Sequence, residues 1–268
     1  MISAFVPARH AGAVQRIGAV ARRNVSALPS GYWMAVLSGF AEPLLYLLAV
    51  GVGVGRLVGR VPLPDGRPVS YATFVAPAML AASAMNGAIA ESTFNLFGKM
   101  KYMRLYEGVL ATPVRPLEIA LGELVWAMLR GAVYSAAFLA VMVAMRLASP
   151  GWALAALPAT MLVGFSFGGL GIAVATLMRS WQDFDLLATV QFALFLFSGT
   201  FAPLTAGYPA PVRLLIEATP LYHAVELVRG LTTGSVHPAL LGHAGYLVAM
   251  AALGLLAASR RMGRMLLR

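Results

Sequence analysis

The chain has 268 residues, 60% of them hydrophobic and only 11% charged, with a mean hydropathy of +0.79. Soluble domains carry about 25% charged residues, so a water-soluble enzyme or binding module is excluded, and the absence of cysteine removes disulfides, thiolate metal sites and cysteine nucleophiles. The net charge of +10 is no nucleic-acid footprint, because the basic residues sit in short segments flanking long apolar runs, as membrane proteins arrange them to fix orientation.

Residues 1–32 form a basic leader. The first long apolar run begins only near Trp33, too late for a secretory signal, so the leader is expected to stay in the mature protein. Within it Val14, Ile17, Ala21, Val25 and Leu28 recur at helical spacing beside Arg16, Arg22 and Arg23. That pattern predicts an amphipathic helix lying in the membrane interface; a disordered basic tail is the alternative. The first span is expected over 33–54, opened by Tyr32 and Trp33 and loosened by Gly51, Gly53 and Gly55. A polar, proline-bearing loop follows over 56–70. Further spans are expected over 71–96, 117–145, 152–178, 184–198 and 240–258, each long or apolar enough to enter a bilayer. Gly164, Gly168, Gly169 and Gly171 in the fourth permit close helix packing. Segment 201–238 is broken by Pro203, Pro209, Pro211 and Pro220. It reads as short re-entrant helices carrying Tyr222, His223, Glu226 and Arg229, the last three largely off the face formed by Leu221, Val225 and Val228. Irregular backbone at such depth must be buried in protein or line a cavity.

Six spans put both termini on one side. That side, with the leader, the 97–116 segment, Arg179 and the C-terminus, carries 13 of the 20 Lys and Arg; the other carries 6, and Arg130 lies within a span. The richer side is cytoplasmic by the positive-inside rule, which predicts cytoplasmic N- and C-termini.

Residues 97–113 hold both lysines of the chain, Lys99 and Lys101, with Arg104, Tyr102, Tyr106 and Glu107. Phe97, Met100, Met103, Val109 and Leu110 form an apolar stripe beside them, and Thr112-Pro113 closes the segment. It reads as a short amphipathic helix that rests on the membrane or offers a face to a soluble partner. An ordinary basic loop is the other reading.

Familiar catalytic patterns are missing. The one Gly-Lys pair, Gly98-Lys99, runs into Met100 without the glycine that a phosphate-binding loop places before it. Gly164-Phe165-Ser166-Phe167-Gly168 fits the letters of a nucleophile elbow, yet it lies in a span where no strand-to-helix turn exists. The four histidines, His10, His223, His237 and His243, are scattered, and no metal site is expected. What remains are the intramembrane charges Glu42, Glu91, Glu123 and Arg130, each costly at depth and so marking a pair or a pathway. At ~1.5 Å per residue, Glu42 and Arg130 lie deepest, which predicts an ion pair between the first and third spans. Glu91 and Glu123 count as shallower, suited to sharing a proton or meeting water.

The runs Glu91-Ser92-Thr93-Phe94-Asn95-Leu96-Phe97-Gly98-Lys99-Met100-Lys101-Tyr102, Tyr106-Glu107-Gly108-Val109-Leu110-Ala111-Thr112-Pro113-Val114 and Gly122-Glu123 resemble ABC type-2 exporter permeases. The nearest branch is the nodulation protein J family, kin to daunorubicin-type drug exporter permeases. Phe197-Ser198-Gly199-Thr200-Phe201-Ala202-Pro203-Leu204 and residues 219–230 resemble the family's late motif. Tyr208-Pro209-Ala210-Pro211 departs from it. The resemblance implies an all-α integral membrane permease of six spans (33–268). It has an interfacial leader helix, a coupling helix over about 97–113 and an outer re-entrant segment over about 201–238. It further implies a pore made by a homodimer or a paired permease in the bacterial inner membrane, in contact with lipid. Two ATPase subunits would carry ATP and Mg, with no cofactor in this chain. Met100, Met103, Arg104, Tyr106 and Glu107 are the residues expected to touch the ATPase. The substrate class implied is amphipathic or lipid-linked: a drug, a glycolipid or a lipo-oligosaccharide. Two other classes stay open: a membrane enzyme acting on a lipid-linked substrate through Glu217, His223 and Glu226, and a channel or secondary transporter.

Overall fold

A computed structural model of the chain describes residues 12–26, 41, 43–63, 65–102, 108–109, 112, 114–204 and 208–266. Nine helices and one hairpin are seen among them. The leader helix α1 is Ala13–Ser26. Helix α2, Pro43–Val58, winds as π turns over Leu47–Val54. Helix α3 runs from Tyr71 to Met100, α4 is Pro116–Ala144, α5 Pro150–Ala175, α6 Asp183–Leu196, α7 Ala210–Ala218, α8 Pro220–Thr232 and α9 Ala239–Leu266.

The helix starts follow from local chemistry. The Ser70 hydroxyl accepts the Thr73 N–H at 3.2 Å to open α3, and Ser149 and Thr219 do the same for α5 and α8, each followed by a proline at the first helical position. The Asp183 carboxylate accepts the N–H groups of Arg179 (2.6 Å) and Ser180 (3.2 Å), which makes the tight turn before α6. Those backbone donors hold this carboxyl below the usual carboxylate range.

Among the described residues four helices are long and apolar enough to cross a membrane: α3, α4, α5 and α9. Their bounds match the expected second, third, fourth and sixth spans to within a few residues at most ends. The expected first span begins outside the described residues. Helix α6, at 14 residues, is shorter than the ~20 residues a perpendicular spanning helix needs. α5 is the central post, packed against α3, α4, α8 and α9. Gly168, Gly169 and Gly171 do face neighbouring helices, whereas Gly164 faces open space. The closest approach of a glycine to another helix's backbone among the described residues is α9 on α5: a Cβ on Gly254 would fall 2.6 Å from the Leu170 nitrogen, so only glycine fits there. Ser166 is fully buried on α5 and reaches the Leu247 carbonyl at 2.8 Å, a packing contact between helices.

Three details go beyond the expectations. The mostly helical fold agrees with the all-α reading, and a small antiparallel hairpin, β1 Arg60–Pro62 with β2 Pro68–Ser70, lies inside what reads as the 56–70 loop. Its tip carries Asp65-Gly66, with Gly66 at φ +81°, a turn that glycine adopts without steric cost. The apolar part of α9 ends at Arg261, in agreement with the expected sixth span, and the helix itself continues to Leu266, because charge is costly in lipid and harmless in a solvated helix. The coupling helix expected over 97–113 lies largely outside the described residues; its first residues, Phe97 to Met100, continue α3, which has π turns at Glu91–Asn95 and Gly98–Tyr102. Phe97 is fully buried against Trp181 and Phe184 (ring centroids 5.1 and 5.4 Å), a better seat than a surface stripe.

Candidate functional site

The polar groups gather at three levels. At the leader end, α1 lies along the start of α4. Arg16 forks onto Glu118, Nε at 2.8 Å and Nη2 at 2.6 Å, while Glu118 also accepts the Arg115 N–H at 2.9 Å that begins α4. One turn on, among the described residues, Glu123 takes three donors from two other segments, α1 and the end of α3. Arg23 Nη2 reaches it at 2.8 Å, Asn24 Nδ2 at 2.9 Å and Lys99 Nζ at 2.6 Å. Lys99 also donates to the Asn24 carbonyl oxygen at 3.1 Å. Glu123 is buried, and a buried carboxylate is retained only with such partners. The helices are close because α4 has Gly122 where α1 presents Val20: a Cβ there would sit 2.5 Å from the Val20 Cβ. Glu123 thus joins the leader helix, the end of α3 and α4 in one ionic knot. This replaces the expected proton sharing by Glu91 and Glu123, since each carboxylate has cations of its own.

The α1 stripe differs from its expected composition. Val20, Ala21 and Asn24 are the buried positions, while Val14 and Val25 are exposed. The helix leans on α4 through Val20 and Ala21 together with its polar edge, which leaves Val14 and Val25 for lipid. Leu28 lies outside the described residues.

Midway along the spans, Glu91 opens the π turn of α3. It accepts Trp126 Nε1 at 3.1 Å and Asn95 Nδ2 at 2.7 Å, and it forms an ion pair with Arg130 of α4. Arg130 also lies near Tyr134, Nη2 3.4 Å from its hydroxyl. The partner expected for Arg130, Glu42, lies outside the described residues. Glu91 counts as shallow only when α3 is ended at Leu96. With the helix running to Met100, Glu91 sits nine residues inside, about 14 Å at ~1.5 Å per residue, within reach of Arg130. On the same helix Asn86 is exposed, and its Oδ1 accepts the Gln191 Nε2 of α6 at 3.0 Å.

At the hairpin end, Arg229 is 3% exposed on α8. Its guanidinium donates to Glu226 at 2.5 Å, to the Phe74 carbonyl at 3.2 Å and to the Gly199 carbonyl at 2.9 Å, and it stacks 3.9 Å over the Phe74 ring. Arg229 therefore joins the buried face of α8 with Leu221, Val225 and Val228, against expectation. The carbonyls give an arginine fork what water otherwise supplies. Asp65 at the hairpin tip accepts Ser235 Oγ at 2.8 Å and Arg67 Nε at 2.7 Å. The Arg67 N–H and these partners hold its carboxyl down to about 2. Tyr222 and His223 lie on the first turns of α8, beside His243 and Tyr246 of α9. Glu217 pairs with Arg213 and Glu226 with Arg229, so the three groups weighed as an acid–base set are each held elsewhere. Among the described residues no three His, Asp or Glu side chains converge as metal ligands.

Of the residues expected to touch an ATPase, Met100 packs partly buried at the end of α3 against the cluster of Leu96, Ile119 and Ala258. Met103, Arg104, Tyr106 and Glu107 lie outside the described residues. Lys99, Arg23, Asn24 and Glu118 escaped the sequence reading as site residues. Their only signal was polar residues at helical spacing beside an apolar run.

Comparison with known proteins gives a consistent result. Residues 15–232 match the family model described as ABC-2 type transporter. The chain is 35% identical over 226 residues to "Nodulation protein J" of Rhizobium leguminosarum bv. trifolii, covering 84% of this chain and 81% of that protein. It is 32% identical over 253 residues to the protein of the same name in Rhizobium leguminosarum bv. viciae, covering 93% and 95%. A third, from Sinorhizobium fredii, is 35% identical over 233 residues, covering 87% and 84%.

Proposed function

Because the chain belongs to the ABC-2 type transporter family, we propose that it is the six-span permease subunit of an ATP-driven exporter, with α2 and α6 as the spans beside α3, α4, α5 and α9. Two copies form the pathway, and two separate ATPase subunits bind ATP and Mg and supply the work. The termini are cytoplasmic, the hairpin and α7–α8 face outward, and the membrane is the bacterial inner membrane. The substrate is amphipathic or lipid-linked.

The observation that carries this reading is the knot at Glu123. The segment expected to dock on the ATPase leaves α3 just beyond Lys99, and Lys99 is tied through Glu123 to both α4 and the leader helix. A push on that segment therefore reaches two spans and the interfacial helix together. A second observation supports two copies. The Asn86–Gln191 amide pair lies on exposed faces of α3 and α6, and exposed amides at that depth require protein or water rather than lipid. The membrane-enzyme alternative lacks a converging acid–base pair among the described residues.

The test is co-expression with a P-loop ATPase lacking spans of its own, followed by purification through a tag on the permease. The expected result is a complex containing both subunits, whose ATPase activity responds to an amphipathic substrate. Permease that purifies without any ATPase, or stimulation by small hydrophilic solutes alone, overturns the reading.

A further inference from the structure

Helices α8 and α9 meet through two histidines. Nδ1 of His223 lies 2.7 Å from Nδ1 of His243, with ring centroids 5.0 Å apart. At that distance one nitrogen donates and the other accepts, so the contact holds a single proton. When both rings are protonated, both nitrogens are donors and two positive charges face each other. No rotation about the contact restores the bond.

The surroundings make the pair the fastening of one particular segment. Tyr246 of α9 stacks on His223 at 3.9 Å, and its hydroxyl reaches the Ala218 carbonyl at 3.3 Å. Tyr222 stands edge-on to both imidazoles at 5.6 and 5.7 Å. Thr219 closes α7 and opens α8 in one residue, so α7 is carried by the first turn of α8. The second half of α8 is held differently, by Arg229 on two backbone carbonyls and Glu226. Both histidines are half-buried, within reach of solvent protons. The ionisable groups facing them are Tyr222 and Glu226 on α8, Tyr246 on α9, and His237 in the turn before α9. Glu217 and Arg213 of α7 act on Tyr222. Glu226 already serves Arg229, and His237 adds positive charge when protonated. No facing group therefore favours the doubly protonated pair enough to replace the lost bond.

We propose that His223 and His243 form a proton-operated latch. One shared proton fastens α7 and the first turns of α8 to α9; a second proton releases them, while Arg229 keeps the rest of α8 seated. The hinge is the middle of α8, between a titratable fastening and a fixed one. That the latch reads the pH outside the cell rests on the topology proposed above; the latch itself does not.

The test uses the full chain in lipid nanodiscs, without ATPase or substrate, so its outcome is separate from that of the exporter reading. The native contact holds one proton where two separated imidazoles take two, so stability falls as pH drops through about 6.5, the ordinary imidazole value. The thermal midpoint of the unaltered chain is expected to fall by several degrees between pH 7.5 and 5.5. His223→Gln and His243→Gln should each remove most of that fall, and His237→Gln should leave it. Hydrogen exchange, corrected for intrinsic rate, should rise at pH 5.5 over residues 219–224 and not over 227–232. Equal pH profiles in all variants, or equal exchange along the whole of α8, overturns the proposal. Nitrogen NMR of histidine-labelled unaltered chain needs no variant. It should show two imidazoles sharing one proton at pH 7.5, and four independent titrations near about 6.5 overturn the latch.

Discussion

The leader end and the hairpin end of the bundle are held by different kinds of polar contact. At the leader end, Glu118 and Glu123 are buried while their cations keep partial access to solvent, the Lys99 side chain at 18% and the Arg23 side chain at 26% exposure. Four side chains from two segments, α1 and the end of α3, share two carboxylates of α4. At the hairpin end the roles reverse: the cation Arg229 is the buried partner, and most of its acceptors are backbone carbonyls. Side chains on separate helices can exchange partners as the helices slide. Carbonyls fixed in α3 and in the Ser198–Gly199 turn cannot. The leader end is thus held by exchangeable contacts and the second half of α8 by fixed ones, a division that suits the proposed exporter, in which force enters at the leader end.

The sharpest test of that contrast removes the fixed end. Arg229→Met strands Glu226 and two carbonyls, and breaking a buried pair on one side costs about 3–5 kcal/mol. We expect a large loss of folded yield and thermal midpoint. Arg229→Lys should rescue little, because one ammonium cannot span acceptors set for a planar fork.

A smaller loss is expected midway. Removing one member of Glu91–Arg130 leaves a charge in the spans, about 2.5–3.5 kcal/mol on insertion scales. Glu91→Gln and Arg130→Gln should each lower folded yield, and the double variant should recover part of it. Losses that simply add would show that the pair is not coupled, and recovery with Glu42→Gln in place of Glu91→Gln would move the partnership to Glu42.

Glu123→Gln should cost less stability than either, because Lys99 and Arg23 retain solvent. Its main effect should be on transport: the chain inserts, yet ATP hydrolysis no longer drives export. Full export by this variant would remove Glu123 from the force path. Gly122→Ala tests the same joint by shape. It should displace α1 and lower export, and Val20→Ala in the same chain should restore both, read by crosslinking between cysteines placed on α1 and α4 of this cysteine-free protein.

The smallest effect concerns Asp65. Its carboxyl titrates lower in the fold than in the unfolded chain, so the hairpin tie is complete at neutral pH and is lost as pH falls through about 2. Asp65→Asn should loosen the hairpin tip in hydrogen exchange with little change in yield. A cysteine at position 65 that labels only from the cytoplasmic side would reverse the proposed orientation.

Hydropathy and local chemistry by themselves determined a great deal here. The spans now seen as α3, α4, α5 and α9 follow from apolar runs longer than a bilayer needs, because lipid admits little else. Ser149-Pro150 and Thr219-Pro220 mark helix starts through caps that act within three residues. Asp65-Gly66 carried a turn signal as well, readable though hidden under the appearance of a plain loop. The motif runs around Glu91–Tyr102 and Thr219–Gly230 pointed to the family. Only the tertiary structure decided which charges meet. Glu123 and Arg23 are 100 residues apart, His223 and His243 sit on different helices, and nothing local sets their distance. Counting depth along an ideal helix placed Glu91 too shallow, because the end of α3 is set by the packing of Phe97 on Trp181 and Phe184, not by the last apolar residue in the run. Spans form from properties summed along the chain, whereas ion pairs form from the rotation and register of packed helices, and those are fixed only when the helices touch.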